Sequence, residues 1–301
     1  MSIVQDIKTA FSRRDNALMQ LILLNVLVFA GLIVLRAVLT VSSASGYYPP
    51  VLRQFELSSD LNVLLRHPWT LLTYAFTHEG FFHILFNLLN LYWFGQLIRE
   101  YLGDRRLVSL YILGALVGAG LFLLSYNLIP YLIAKPGYTA VLGASGAVTA
   151  IIVGAATLLP DYTFTIILIG PVKIKWIAAV VVLLSLAGID GSNAGGEIAH
   201  LGGALLGFVF IKQLQAGRDL GRPVQAVGNF FSNLTNRRPA MRVSTPRRAE
   251  AVTAGTSSGG KKPAPGQPLQ EEIDLILDKI SRSGYESLSK DEKQKLFRAS
   301  Q

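Results

Sequence analysis

Three apolar stretches of the sequence each carry polar side chains that could take part in catalysis. The first holds His83 and Asn87, four residues apart, the second holds Ser145, and the third holds His200. The chain has no cysteine, so a serine activated by a histidine is the simplest nucleophilic pair on offer. The spacing of His83 and Asn87 puts both on one helical face, where they could donate hydrogen bonds to an oxyanion. The pattern therefore indicates acyl transfer, with Ser145 as the candidate nucleophile and His200 as the residue that takes its proton.

Small residues surround both members of this pair. Gly143 and Gly146 flank the serine, and Gly203 and Gly207 follow the histidine on the same helical face. Small residues spaced in this way let two helices approach closely, so we expect them to bring the two segments together. The sequence leaves open the alternative that these glycines serve helix packing alone.

The sequence gives less support for a third catalytic residue beside Ser145 and His200, and for a bound metal ion. The nearest acid to His200 is Glu197, one turn earlier and toward the outer end of the stretch, so its role stays open. His78 and His83 are five residues apart, whereas a zinc-binding HExxH motif needs four to place both histidines on one helical face. We therefore predict no metal site, and the chemistry requires no cofactor.

The composition is that of a membrane protein. Hydrophobic residues make up 51% of the 301 residues and charged residues 16%, against about 25% charged in an ordinary soluble domain. Several apolar runs are long enough for a helix to cross about 30 Å of hydrocarbon. Six spans are predicted, at 17–41, 82–101, 107–129, 141–159, 176–189 and 195–214, of which the fifth is the shortest.

Basic residues in the short connections predict the orientation. Lysine and arginine cluster before the first span, between the second and third, between the fourth and fifth, and after the sixth. Because cytoplasmic loops carry this excess, both termini should be cytoplasmic in a multi-pass protein of a cell membrane, which we expect to be a bacterial inner membrane. The net charge of +9 then reflects a cytoplasmic tail, and we expect no nucleic-acid partner.

Four segments are predicted along the chain. An N-terminal cytoplasmic segment (1–16) precedes the six-span domain (17–222), whose long connection at 42–81 should fold back onto the membrane. Residues 223–268 are rich in Pro, Gly, Ser, Thr and Arg, which predicts a disordered basic linker. Residues 269–301 regain a helical period, with Ser289 and Glu292 as a capping box, and predict a short helical hairpin. So small a hairpin needs a docking partner, which the sequence does not identify.

Together these motifs resemble the rhomboid family of intramembrane serine proteases. That family has a histidine and an asparagine four apart in the second core helix, GxSG opening the fourth, and a histidine with spaced glycines in the sixth. Here these are His83 with Asn87, the segment 143–146 around Ser145, and His200 with its two glycines. The motifs occur in this order on the matching predicted spans, across about residues 15–215.

The resemblance implies an all-α, six-transmembrane-helix bundle with a water-filled cavity open to the non-cytoplasmic side. It further implies hydrolysis of peptide bonds in or near transmembrane segments of single-span or multi-span proteins in the lipid bilayer, without a cofactor. In that scheme Ser145 and His200 form the catalytic dyad, and His83, Asn87 and the Ser145 backbone N–H hold the oxyanion. The long first loop would be the family's semi-submerged loop, and the short fifth helix its proposed lateral gate.

The chain departs from the family pattern at two places. Many members have Trp-Arg in the first loop, where this chain has Trp69 and Thr70. Many also have a tyrosine four residues after the nucleophile, stacked on the histidine, where this chain has Thr149, so His200 needs another support. The competing function is a noncatalytic rhomboid-like protein that binds membrane helices without cutting them. A small transporter is a weaker alternative, because the two halves show no internal repeat.

Overall fold

The computed structural model describes residues 16–134, 139–166, 169–235 and 270–299. All of the predicted N-terminal segment except residue 16, and the predicted linker beyond residue 235, lie outside these residues. The chain divides into two compact units, Met1–Pro239 and Ala240–Gln301. The protein is mostly helical, as predicted.

The first unit contains six longer apolar helices, short helices in the first loop and after the third apolar helix, and a last helix after the sixth apolar one. In chain order they are α1 (Ala17–Val41), α2 (Tyr48–Leu52), α3 (Leu61–Arg66), α4 (Thr70–Thr73), α5 (Phe81–Leu102), α6 (Asp104–Leu128), α7 (Pro130–Ile133), α8 (Ser145–Leu158), α9 (Ile174–Ala187), α10 (Ala194–Gln215) and α11 (Arg222–Thr235). Single 3-10 turns form at Ser45–Tyr47 and Tyr74–Phe76.

Four of these helices, α1, α5, α6 and α10, are long and apolar enough to cross a membrane. Helices α8 and α9 are also apolar but have 14 residues each. The six predicted stretches coincide with these six helices, with ends that differ by a few residues. The start of α8 differs most, because Val141, predicted to open it, belongs to a short strand and the helix begins at Ser145.

Two short antiparallel ladders interrupt the predicted all-α pattern. The first joins β1 (Leu57–Ser58) in the first loop to β2 (Ala140–Val141), just before α8. The second joins β3 (Thr163–Ile166) to β4 (Gly170–Lys173), between α8 and α9. Both lie in connections between helices, where backbone groups with no helical partner satisfy one another.

The centre of the first unit is α8, which packs against α5, α6, α9 and α10. Ten of its 14 residues are buried, and most of these are Gly, Ala, Val or Ile. Helix α9, in contrast, buries only Ile174, Ala178 and Ser185, so most of its apolar surface faces outward. A helix that is apolar on its outer face fits a lipid environment.

Residues 222–235 correct the prediction of a disordered linker from residue 223 onward. They form α11, which packs against α6, where the Ser109 hydroxyl lies 3.4 Å from the Gly221 carbonyl oxygen. The composition argument overlooked Val224, Val227 and Phe230, which recur every three residues, close to the helical period.

The second unit contains α12 (Gln270–Ser283), a 3-10 turn at Tyr285–Ser287 and α13 (Lys290–Ala299). Gly284, with φ +77°, follows the end of α12. The Ser289 backbone N–H donates to Glu292 Oε2 at 2.7 Å, and the Glu292 N–H to Ser289 Oγ at 3.3 Å, which is a capping box. Lys279 also pairs with Glu292 at 2.9 Å across the two helices.

Candidate active site

The segment from Gly143 to Ser145 turns sharply into α8. Gly143 has φ +121°, a conformation that side chains with a Cβ rarely adopt. A Cβ at this position would also lie 2.7 Å from Nε2 of His83. Glycine therefore permits both the turn and the close approach of the His83 ring to the loop that carries Ser145.

Residues of the first loop hold this turn in place through hydrogen bonds to its backbone. The Gly143 N–H donates to the Tyr74 carbonyl at 2.9 Å, and the Ala144 N–H donates to Nε2 of His78 at 3.2 Å. Tyr74 is itself anchored, because its buried hydroxyl donates to the Ala115 carbonyl of α6 at 2.6 Å. Burial raises the pKa of that hydroxyl above its ordinary value. Loop 42–80 thus positions the Ser145 turn through one backbone and one side-chain acceptor.

His78 is a neutral support of the loop. It is 1% exposed, and burial, followed by the charge of the neighbouring His83, lowers its pKa to about 4. Because Nε2 accepts the Ala144 N–H, the ring proton lies on Nδ1, and the Phe76 backbone interacts with the same ring. No group of three or more possible metal-binding side chains occurs in the described ranges.

His83 and Asn87 lie on α5 facing the same region. The His83 ring packs edge-on against His78, with ring centroids 5.0 Å apart. Asn87 is buried, and its amide donates to the His83 backbone carbonyl at 2.9 Å, which leaves a second amide hydrogen available. Donation by either side chain to an oxyanion stays a prediction.

Glycines set the distance between α8 and α10. A Cβ on Gly203 would collide with the Gly146 carbonyl oxygen, and a Cβ on Gly207 would collide with that of Ala150. One turn nearer the start of α10, the Ala199 carbonyl oxygen lies 3.3 Å from where a Cβ on Gly146 would be. The backbone beside His200 therefore lies against the residue that follows Ser145.

His200 is positioned through one of its ring nitrogens. Its Nδ1 lies 3.1 Å from Glu197 Oε2 and 3.1 Å from the hydroxyl of Ser185, which belongs to α9. Its imidazole also interacts electrostatically with that of His83 across the site. In the described part of the chain no hydrogen bond joins His200 to Ser145, and such contacts often tighten only when substrate binds.

The structure thus brings a serine that follows a tight glycine turn, three histidines and an asparagine into one region. Sequence reasoning considered His78 only as a metal ligand and did not consider Ser185. His78 belongs to the first loop and Ser185 to α9, and no local spacing in the sequence indicates that either lies at the site.

A comparison with protein-family models finds the rhomboid domain over residues 65–215, half of the chain. The chain belongs to the rhomboid family. The family match covers α5, α6, α8, α9 and α10 together with residues 65–80 of the loop that holds the Ser145 turn. A second model, described as a family of unknown function (DUF6576), matches residues 268–301.

Curated relatives carry the same family name. RHOMBOID-like protein 12, mitochondrial, of Arabidopsis thaliana is 33% identical over 159 residues, which are 50% of this chain and 47% of the relative. Rhomboid protein 1, mitochondrial, of Saccharomyces cerevisiae is 31% identical over 171 residues, 52% of this chain and 45% of the relative. Rhomboid-like protein 16, chloroplastic, of A. thaliana is 30% identical over 162 residues, half of each chain. This rhomboid protein spans about half the length of the relatives it matches.

Proposed function

We propose that this rhomboid protein is an intramembrane serine endopeptidase. The observation that carries the proposal is the position of Ser145 at a tight turn against His83, beside the α10 backbone that bears His200. A noncatalytic helix-binding protein would not need a serine, a histidine and potential oxyanion donors to lie in one region.

The chemistry follows from these groups. Ser145 Oγ attacks the substrate carbonyl carbon while His200 Nε2 takes the hydroxyl proton, and the carbonyl oxygen becomes an oxyanion. Amide hydrogens of Asn87, the His83 ring and the Ser145 backbone N–H would donate to that oxygen. As the C–N bond breaks, His200 gives its proton to the leaving amine. Water then attacks the acyl ester while His200 takes its proton, and His200 returns a proton to Ser145 Oγ as the ester C–O bond breaks, which releases the acid and the free serine.

The proposal includes a bundle of six membrane spans, with α8 and α9 as short fourth and fifth spans. A buried α8 can be short because protein, not lipid, surrounds it, and a short, outward-facing α9 suits a lateral opening for substrate. With basic residues concentrated on one side, both termini are cytoplasmic and the site opens to the other side of a cell membrane, taken as a bacterial inner membrane.

The substrates proposed are single-span or multi-span membrane proteins. A peptide bond inside a helix is protected by its hydrogen bonds, so the target must unwind locally before Ser145 can reach it. Glycine, proline or polar residues near the cut lower that cost. The second unit, proposed as a cytoplasmic helical hairpin of α12 and α13, would bind a partner whose identity is open.

The test is cleavage of a purified single-span substrate in detergent and in liposomes. We expect wild type to cut it, and Ser145→Ala and His200→Ala to lose cleavage while keeping the wild-type melting temperature. Ser232→Ala, in α11 and away from the site, is the matched control and should cleave as wild type does. Tight substrate binding without cleavage by wild type would instead support the noncatalytic alternative.

A further inference from the structure

The His200 ring has a defined proton arrangement because of its neighbours. Nδ1 lies 3.1 Å from the Glu197 carboxylate, and an ionised carboxylate only accepts hydrogen bonds. Nδ1 therefore carries the proton and donates a hydrogen bond to Glu197 Oε2. Nε2 is left with its lone pair, the form that a general base requires.

The fold makes room for this carboxylate. Glu197 lies in the first turn of α10, where the helix dipole favours a negative charge. A Cβ on Gly188, at the end of α9, would lie 2.8 Å from Cγ of Glu197, so a larger residue there would push the side chain away. Ser185 of α9, which is 2% exposed, places its hydroxyl oxygen 3.1 Å from the same Nδ1.

The hydroxyl of Thr149 is engaged within its own helix. Thr149, four residues after Ser145, donates its hydroxyl to the Ser145 backbone carbonyl at 2.8 Å and is buried within α8. Among the described residues, the side-chain hydrogen bonds to His200 come from Glu197 and Ser185.

We propose that Glu197 is a positioning residue that extends the Ser145–His200 pair to a Ser–His–Glu triad. This inference rests on the proposed protease function. Glu197 keeps the proton on Nδ1 in the resting enzyme and stabilises the imidazolium that forms when Nε2 takes the serine proton, without itself becoming protonated. Ser185 fixes the ring from the neighbouring helix.

Other titratable groups near His200 are few. On α5, His83 interacts with it. Helix α8 carries no charged residue, and the charged residues of α6, at 104–106, and of α9, Lys175, lie at the ends of those helices opposite to the ends near His200. Among these elements, Glu197 is therefore the carboxylate whose removal should change the protonation of His200.

The experiment compares wild type, Glu197→Gln, Glu197→Asp and the control Asp190→Asn, which removes an exposed charge from the same α9–α10 turn. We measure kcat and KM from pH 5.5 to 9 and, separately, the ring tautomer of His200 by ¹⁵N NMR. With four histidines in the chain, the ring signals can be assigned by single substitutions.

We expect Glu197→Gln to lower kcat about 10-fold to 100-fold with KM nearly unchanged, part of what general acid–base catalysis contributes. The acidic limb of the pH profile should move to lower pH, because the imidazolium loses its counter-charge, and the proton should no longer reside on Nδ1 alone. Glu197→Asp should restore the limb in part, and Asp190→Asn should match wild type.

The outcomes separate the two proposals. If wild type cleaves and Glu197→Gln keeps the wild-type kcat and pH profile, the Glu197 inference is wrong while the protease function stands. If wild type cleaves nothing, the protease function fails. The NMR tautomer would then report independently on the Glu197–His200 contact.

Discussion

Acid should destabilise this protein through His78, the buried histidine that accepts a hydrogen bond from the Ala144 N–H in the Ser145 turn. Burial lowers its pKa from 6.5 to about 4, so the folded protein binds this proton less tightly than the unfolded chain does. Unfolding therefore takes up a proton between these pH values, and the free energy of unfolding falls as the pH falls. At about 1.4 kcal/mol for each factor of ten in proton affinity, the loss is about 2 kcal/mol by pH 5 and about 3 kcal/mol by pH 4.

The measurement is reversible unfolding in mixed detergent micelles at pH 7.5 and pH 5, where most carboxylates remain ionised. His78→Gln keeps an oxygen that can accept the Ala144 N–H but does not titrate, so its stability should change by about 2 kcal/mol less than that of wild type. His67→Gln, which removes another imidazole from the same loop, should keep the wild-type pH dependence. Equal pH dependence in His78→Gln and wild type would refute the assignment.

Three further perturbations test other contacts. Gly203→Ala places a methyl group against the Gly146 carbonyl, so melting temperature and cleavage should both fall. The control Gly120→Ala, whose added Cβ would have nothing within 4 Å, should change neither. An unaffected Gly203→Ala would refute the close α8–α10 packing. Asn87→Ala should lower kcat about 100-fold with little change in KM, since it removes a donor to a transient oxyanion, and a rise in KM alone would assign it to substrate binding. Truncation after Thr235 should leave detergent cleavage intact while altering partner binding in cells; lost activity in a folded truncated protein would contradict this.

The sequence predicted the long helices well because their signal is local. Hydrophobic length places the first span at 17–41, where α1 is found. The start of α8 was missed, because Val141 belongs to a strand that pairs with Leu57, more than 80 residues earlier. Residues 223–235 were assigned to a disordered linker because the prediction relied on their composition and ignored a short stretch of helical periodicity.

At the site, residue types and spacing identified the candidate chemistry but not its supports. Ser145 and His200 could be proposed from motifs because each lies on a helix with a recognisable pattern. The role of His78 depends on a first loop without regular periodicity, and that of Glu197 on the way α9 ends at Gly188. Such contacts arise from tertiary packing, which short-range spacing does not encode.

The serine nucleophile is tested most directly by covalent labelling with a fluorophosphonate, which reacts with serine hydroxyls that an adjacent base activates. The purified full-length protein is labelled in detergent, digested, and the modified residue is located by mass spectrometry. We predict one adduct on Ser145 that is absent in Ser145→Ala and strongly reduced in folded His200→Ala. Labelling of a different serine, or labelling of Ser145 at an unchanged rate in His200→Ala, would contradict the assignment of the pair.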